Sequence, residues 1–140
     1  IQYLYQLIDD LKALFSTKKQ TPVKGDITLS SISNCSIKAL GNIKILGKGS
    51  VNSTLYCKGE VYVAGYVRGG QINAEKGIEV NIAGSKRGSK ILLAVPEDSF
   101  IRIRAVFMDT TIRVGNISHT FFSEDRMIYA RWENGKLLLH

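Results

Sequence analysis

The stretch that decides the fold runs from Lys24 to Val80, and it is a repeat. The unit GDITL at 25–29 recurs as GNIKI at 41–45 and as GEVYV at 59–63, and GIEV at 77–80 is a looser fourth copy. The leading glycines are separated by 16, 18 and 18 residues. Each unit holds two apolar residues with one residue between them, an alternation that is typical of a short strand rather than a helix.

A second series lies between these units, with IKA at 37–39, LYC at 55–57 and INA at 72–74. Two short strands per repeat cannot bury their apolar sides alone, so neighbouring repeats must stack on each other. The sequence therefore predicts an all-β fold, a single-stranded β-helix or β-solenoid. Each repeat forms one coil, and equivalent residues lie about 4.8 Å apart.

The alternation also separates the core from the outer wall. The predicted core residues are Ile27, Leu29, Ile37, Ala39, Ile43, Ile45, Leu55, Cys57, Val61, Val63, Ile72, Ala74, Ile78 and Val80. The intervening residues, which are mostly polar, are Thr28, Lys38, Lys44, Tyr56, Tyr62, Asn73 and Glu79. The small side chains Ala39, Cys57 and Ala74 share one column, which suits a narrow corner. Glycines are predicted at corners, where backbones approach closely.

The repeat length is compatible with either a right-handed or a left-handed β-helix. A six-residue grid, as in left-handed hexapeptide coils, is occupied by Ile37, Ile43, Leu55, Val61 and Val67. The grid slips at Ile72 and is broken by Gly49. Paired apolar positions also indicate flat strands, so a right-handed β-helix is the prediction and the left-handed form is the alternative.

Residues 1–16 follow a different period and predict an amphipathic helix of coiled-coil type. Its apolar seam steps by 3, 4, 3 and 4 residues through Ile1, Leu4, Ile8, Leu11 and Phe15. Two heptads are marginal alone in water, so the seam must pack on something. Leu4, Ile8, Leu11 and Phe15 are therefore candidate partner-binding residues, most simply in a weak homodimer. A helix that caps the open end of the solenoid is the alternative.

The chain is thus divided into the helix at 1–16, a linker at 17–23, coils at 24–115 and a β-meander cap at 116–140. The Asn134-Gly135 pair in the last part predicts a tight hairpin. The side chains expected to cover the last coil are Phe121, Phe122, Tyr129 and Trp132.

The positive net charge of the chain indicates which classes of partner it could attract. The net charge is +7, with 19 Lys and Arg spread along the chain. This describes either a solvated basic wall or attraction to an acidic protein, nucleic acid or anionic lipid. Arg68, Lys86 and Arg87 are the candidate partner-binding residues on the coils. The loop at 84–89 resembles a phosphate cradle only in composition. No specific nucleic-acid binding and no membrane span are expected.

Catalytic residues are not evident, so the chain is not expected to be an enzyme and no cofactor or metal is expected. His119 is expected at the surface, and His140 is the last residue. Asp26 and Glu60 follow corner glycines, where a carboxylate typically accepts from backbone N–H groups. The two cysteines, Cys35 and Cys57, are too far apart in the predicted stack for a disulfide.

Three runs resemble the bacterial flagellar assembly protein A (FapA) family. They are SIKALGNIKI at 36–45, RGGQINA at 68–74 and TTIRVGN at 110–116. The resemblance implies a right-handed β-helix, a coiled-coil segment before the coils, a cytoplasmic bacterial location and no known catalytic residues. It suggests a structural or interaction module in flagellar or cell-envelope assembly. Bactofilins, which polymerise as right-handed β-helices, have a similar pattern of glycine and valine residues. A bactofilin-like scaffold is the alternative function, and a β-helix enzyme is a more distant one.

Overall fold

A computed structural model describes residues 24–139 of the chain. This part contains thirteen strands, and none of its residues is in a helix long and apolar enough to cross a membrane. In chain order the strands are β1 (Ile27–Leu29), β2 (Ile32–Ser33), β3 (Ser36–Ala39), β4 (Ile43–Ile45), β5 (Gly49–Cys57), β6 (Glu60–Ala74), β7 (Gly77–Ala83), β8 (Ile91–Val95), β9 (Phe100–Val106), β10 (Thr110–Val114), β11 (Ile117–Thr120), β12 (Asp125–Glu133) and β13 (Lys136–Leu139). The helix predicted for 1–16 and the linker predicted for 17–23 lie outside the described residues.

The strands form a β-solenoid of five turns with three faces. Face A contains β1, β4 and the first parts of β6, β7 and β9. Face B contains β2, the start of β5, the middle of β6 and the ends of β7 and β9. Face C contains β3, the ends of β5 and β6, then β8 and β10. All these pairings are parallel.

Parallel pairing stacks equivalent residues of successive turns, as the repeat predicts. The inner column on face A is Ile27, Ile43, Val61, Ile78 and Ile101. The inner column on face C is Ile37, Leu55, Ile72, Leu93 and Ile112. All fourteen predicted core side chains are buried. The predicted small-residue column is also confirmed, because Ala39 pairs with Cys57 and Cys57 with Ala74.

The corner before face A explains two of the repeated glycines. The backbone N–H of Asn42 donates to Oδ1 of Asp26 at 2.8 Å, and the N–H of Glu60 donates to Oδ1 of Asn42 at 2.8 Å. A Cβ on Gly41 would collide with the Asp26 side chain, and one on Gly59 with that of Asn42. The corner bond predicted for Asp26 is confirmed, whereas Glu60 enters this ladder through its backbone.

Antiparallel strands end the solenoid. The strand β11 turns back through Gly115 and pairs with β10, so that His119 lies opposite Ile112. The strand β12 instead pairs antiparallel with β9, with Ile128 opposite Ile103, and β13 forms a hairpin with β12. Thus β11 extends face C, the first residues of β12 extend face B, and the rest of β12 together with β13 extends face A. The predicted hairpin exists, but the three strands do not form one continuous meander, because β11 lies at one end of the strand order and the β12–β13 hairpin lies at the other.

The cap covers the last coil with fewer aromatic rings than the sequence predicts. Phe121 is buried and Trp132 packs partly against the core. Phe122, however, is 84% exposed and covers nothing. Tyr129 lies on the outer wall, because alternation in β12 points Ile128 and Ala130 inward and the residue between them outward.

The stacked register makes a prediction about two adjacent residues. Ile43 is fully buried and its neighbour Lys44 is exposed. Ile43→Asp should unfold the domain, because an unpaired carboxylate in an apolar core costs several kcal/mol. Lys44→Asp should change the free energy of unfolding by less than about 0.5 kcal/mol. Urea denaturation followed by circular dichroism measures both, and equal destabilisation would contradict the register.

Candidate partner-binding surface

The structure places the three basic candidates of the coils on and beside face B. Arg68 is exposed on β6, and its guanidinium carbon lies 4.1 Å from the centroid of the Tyr66 ring. Lys86 and Arg87 are exposed in the loop between β7 and β8. This loop leaves the coil beside Arg68, because Val67 pairs with Ala83. The other candidates, Leu4, Ile8, Leu11 and Phe15, lie outside the described residues.

The outer side of face A carries a ridge of long side chains that the sequence did not reveal. Strand register aligns one outward residue from each turn and from the cap. From the second turn to the cap, the ridge consists of Lys44, Tyr62, Glu79, Arg102 and Tyr129. Neighbours in such a column are about 4.8 Å apart along the solenoid, so their side chains contact one another.

Four residues at the cap end of face A form an arginine–aromatic array. Arg102 lies opposite Tyr129, and Phe100 lies opposite Arg131 on the same two strands. The Arg102 guanidinium is 5.1 Å from the Tyr129 ring and 5.7 Å from the Phe100 ring. Arg131 lies 5.9 Å from the Tyr129 ring, and the two rings stack with centroids 5.9 Å apart. Each cation therefore contacts an aromatic face, an arrangement favoured by the ring quadrupole.

The array is held in place by its surroundings. Arg102 donates to Glu79 at 3.3 Å, and Arg131 pairs with Glu133 at 2.9 Å. The Phe100 ring lies against the backbone of Gly77, where an added Cβ would approach the ring to 2.7 Å. Because both ion pairs are partly exposed, they add little to the stability of the fold. Their main effect is to fix the orientation of the guanidinium groups.

Two depressions flank the ridge. The larger, about 570 Å³, is lined by Tyr62, Asn81, Arg102, Arg104, Met127 and Tyr129, among others. The smaller, about 500 Å³, shares Tyr62 and Glu79 with it and extends to Leu46 and Phe100. In the larger depression the Arg104 Nε donates to Oδ1 of Asn81 at 2.6 Å. The two depressions and the ridge form one continuous outer surface, which we call the face A surface.

Two apolar side chains stand out on this surface. Met127 is 71% exposed and Leu46 is 55% exposed. Met127 also has a φ of 55°, a left-handed conformation that costs a residue with a Cβ about 1–2 kcal/mol. The sequence shows both residues, but not that they share a surface with Arg102 and Tyr129. Alternation at 101–104 indicates that Arg102 and Arg104 point outward, without showing what lies beside them.

The described residues show little that would support catalysis. Within residues 24–139, no three His, Cys, Asp or Glu side chains are arranged to hold a metal ion. His119 is exposed on β11, and its ring packs nearly perpendicular to the Phe121 ring, with the ring centroids 4.7 Å apart. The glycine-rich loop at 84–89 is followed by strand β8 and not by a helix. Its N–H groups therefore lack the helix N-terminus that phosphate-binding loops use.

Both cysteines are free thiols, and they differ in environment. Cys35 is partly exposed and donates to the backbone oxygen of Ser33 at 3.1 Å. Burial raises the pKa of the Cys57 thiol from 9.0 to about 11, and the charges of Glu75 and Glu60 add to this shift. Because the thiolate is the reactive form, Cys57 is chemically inert at neutral pH.

This difference predicts selective alkylation and a loss of stability at high pH. In the native protein at pH 8, iodoacetamide should modify Cys35 and not Cys57, and both should react after unfolding. Because folding raises the Cys57 pKa, its contribution is complete below pH 9 and is lost as the pH rises through about 11. Mass spectrometry measures the first effect and thermal unfolding between pH 8 and 11 the second.

The control for the pH effect is a substitution of the buried thiol itself. Cys57→Ala, which places a third alanine in the column, should reduce the pH dependence of stability relative to the protein that keeps Cys57. Both are compared in a Tyr56→Phe background, because burial and then Glu75 also raise the pKa of Tyr56. Native Cys57 that reacts as fast as Cys35 at pH 8 would contradict the buried position.

Comparison with known proteins places this geometry in a family. Neither the curated proteins nor the solved structures contain a match to the chain. Residues 18–119 match the Flagellar Assembly Protein A (FapA) beta solenoid domain, which includes all five turns of the coil and β11 up to His119. The match ends before β12, so Met127, Tyr129 and Arg131 lie beyond it. With most of its length matched to this domain, the chain belongs to the FapA family.

Proposed function

We propose that this chain is a non-catalytic interaction module that acts in flagellar or cell-envelope assembly in the bacterial cytoplasm, and that it binds a protein partner through the face A surface. The arginine–aromatic array carries the proposal. Tyr and Arg are enriched at the energetic centres of protein interfaces. A right-handed coil, as the family resemblance implies, is part of the same proposal.

The strand arrangement favours this role over a polymerising scaffold. A solenoid polymerises end to end when its terminal turn presents an open parallel edge to the next copy. Here β11 occupies the last edge of face C, and β12 occupies the last edges of faces B and A, in the antiparallel direction. Inside the coil, each turn offers a parallel strand edge to the next turn. A second copy of the protein finds antiparallel strands at this end instead, so it cannot stack there as a further turn would.

The proposal for self-association remains the one made from the apolar seam of residues 1–16. That seam supports a weak two-fold dimer rather than a filament. We expect discrete monomers and dimers, and Leu4→Glu with Leu11→Glu should shift the population to monomer without unfolding the coils. Analytical ultracentrifugation measures the first outcome and circular dichroism the second. Filaments seen by electron microscopy that persist in the double variant would favour the bactofilin-like alternative.

The role in assembly is tested in the organism that carries the gene. Deleting the gene should reduce the number of flagella per cell, and the intact gene should restore it. Arg102→Glu with Tyr129→Ala should fail to restore flagella although the protein accumulates and stays folded, because it removes two ridge residues. The matched control, Arg113→Glu with Tyr56→Ala, changes the same residue types on face C and should restore them. Full restoration by the face A variant would contradict the proposed surface.

A further inference from the structure

We infer that the face A surface binds an acidic protein segment that carries an apolar anchor. This rests on the proposed function, because it names the chemistry of the partner that the same surface would take. Two observations carry it: the free hydrogen-bonding capacity of the arginines and the exposed apolar side chains.

The arginines of face A have donors to spare. A guanidinium has five N–H donors, and a single pairing with a carboxylate leaves most of them available. Arg102 uses Nη1 toward Glu79, and Arg131 uses Nη2 toward Glu133. Arg104 uses Nε toward the neutral amide of Asn81 and has no carboxylate partner among the ion pairs of the described residues. Its charge is therefore not balanced by a contacting acid.

Carboxylates of a partner complement this set. Guanidinium and carboxylate groups form charge-assisted, often bidentate hydrogen bonds, and the cation–π contacts hold Arg102 and Arg131 in place before binding. Preorganised side chains lose less conformational entropy when a ligand binds. The net charge of +7 also attracts an acidic partner at long range.

The apolar residue of the partner would bind at the exposed apolar side chains of the two depressions. Met127 projects at the cap end of the larger depression, and Leu46 borders the smaller one. An unbranched methionine adapts its shape to different apolar groups, which suits a binding surface. A segment that meets both Met127 and the arginines must carry an apolar residue close to its acidic ones.

A nucleic acid fits this surface less well. The exposed side chains of Met127 and Leu46 can pack against an apolar residue of a peptide, but a sugar–phosphate backbone has no such group to place there. The faces of the Tyr129 and Phe100 rings are already contacted by guanidinium groups and by each other. Base stacking needs an open aromatic face.

The segment 1–16 of this chain is also a poorer fit. Its acidic residues are Asp9 and Asp10. On the predicted helix both lie away from the seam through Leu4, Ile8 and Leu11, because residues on one face recur three or four positions apart. A helix that presents its seam to Met127 would direct these carboxylates away from the arginines.

The experiment uses the full chain and three fluorescein-labelled peptides of equal length. One alternates glutamate with leucine, the second glutamate with serine, and the third lysine with leucine. A single-stranded oligonucleotide of equal charge is the fourth probe. Fluorescence anisotropy at two salt concentrations should show tightest binding for the glutamate–leucine peptide, with weaker binding at higher salt.

Variants locate the binding on the protein. Arg104→Ala should weaken binding of the glutamate–leucine peptide about tenfold or more, the effect of losing one charge-assisted hydrogen bond. Met127→Ser should weaken it several-fold and bring its affinity closer to that of the glutamate–serine peptide. The matched controls Arg113→Ala and Met108→Ser, at an arginine on face C and a second exposed methionine, should leave the affinity unchanged.

The outcomes separate this inference from the proposed function. No binding of the glutamate–leucine peptide, equal binding of the glutamate–serine peptide, tighter binding of the oligonucleotide, or equal loss in the control variants would each overturn the inferred partner chemistry. The proposed function would still stand if Arg102→Glu with Tyr129→Ala abolished flagella. Conversely, peptide binding with full flagellation in that variant would support the site and overturn its role in assembly.

Discussion

The whole structure depends on parallel stacking of each turn on the one before it. The backbone ladder fixes equivalent residues of neighbouring turns at one strand spacing, so a core position in one turn must be a core position in the next. This constraint explains why Ile27, Ile43, Val61, Ile78 and Ile101 form one column although they are separated by 16, 18, 17 and 23 residues. The corners absorb the difference in length, and the faces stay in register.

The same constraint makes the outer wall a regular array. Side chains that point outward from a stacked face are held in columns, so a short surface motif is built from residues far apart in the chain. Phe100, Arg102, Tyr129 and Arg131 form such an array across two strands. Cation–π contacts and ion pairs link these side chains to one another and to Glu79 and Glu133.

The cap strands cover the last turn of the solenoid and also add residues to its outer face A surface. These antiparallel strands replace the parallel edge that a further turn would use, and they extend face A beyond the region shared with the family domain. The strand β12 contributes Met127, Tyr129 and Arg131 to the outer surface while Ile128 and Ala130 complete the core. Alternate residues of one strand thus complete the core of the coil and the outer face A surface.

The sequence by itself determined the coil, its core and its small-residue column, because alternation and repeat length are properties of neighbouring positions along the chain. It also indicated the corner bond of Asp26 and the hairpin at Asn134. It did not determine which outward residues are neighbours after the loop at 84–89, nor that Phe122 stays exposed and Tyr129 joins the wall. Those relations depend on how a long turn and two reversing strands align with the faces already formed. Only the tertiary structure decides that alignment, because through-space pairing, and not local periodicity, sets the register between β9 and β12.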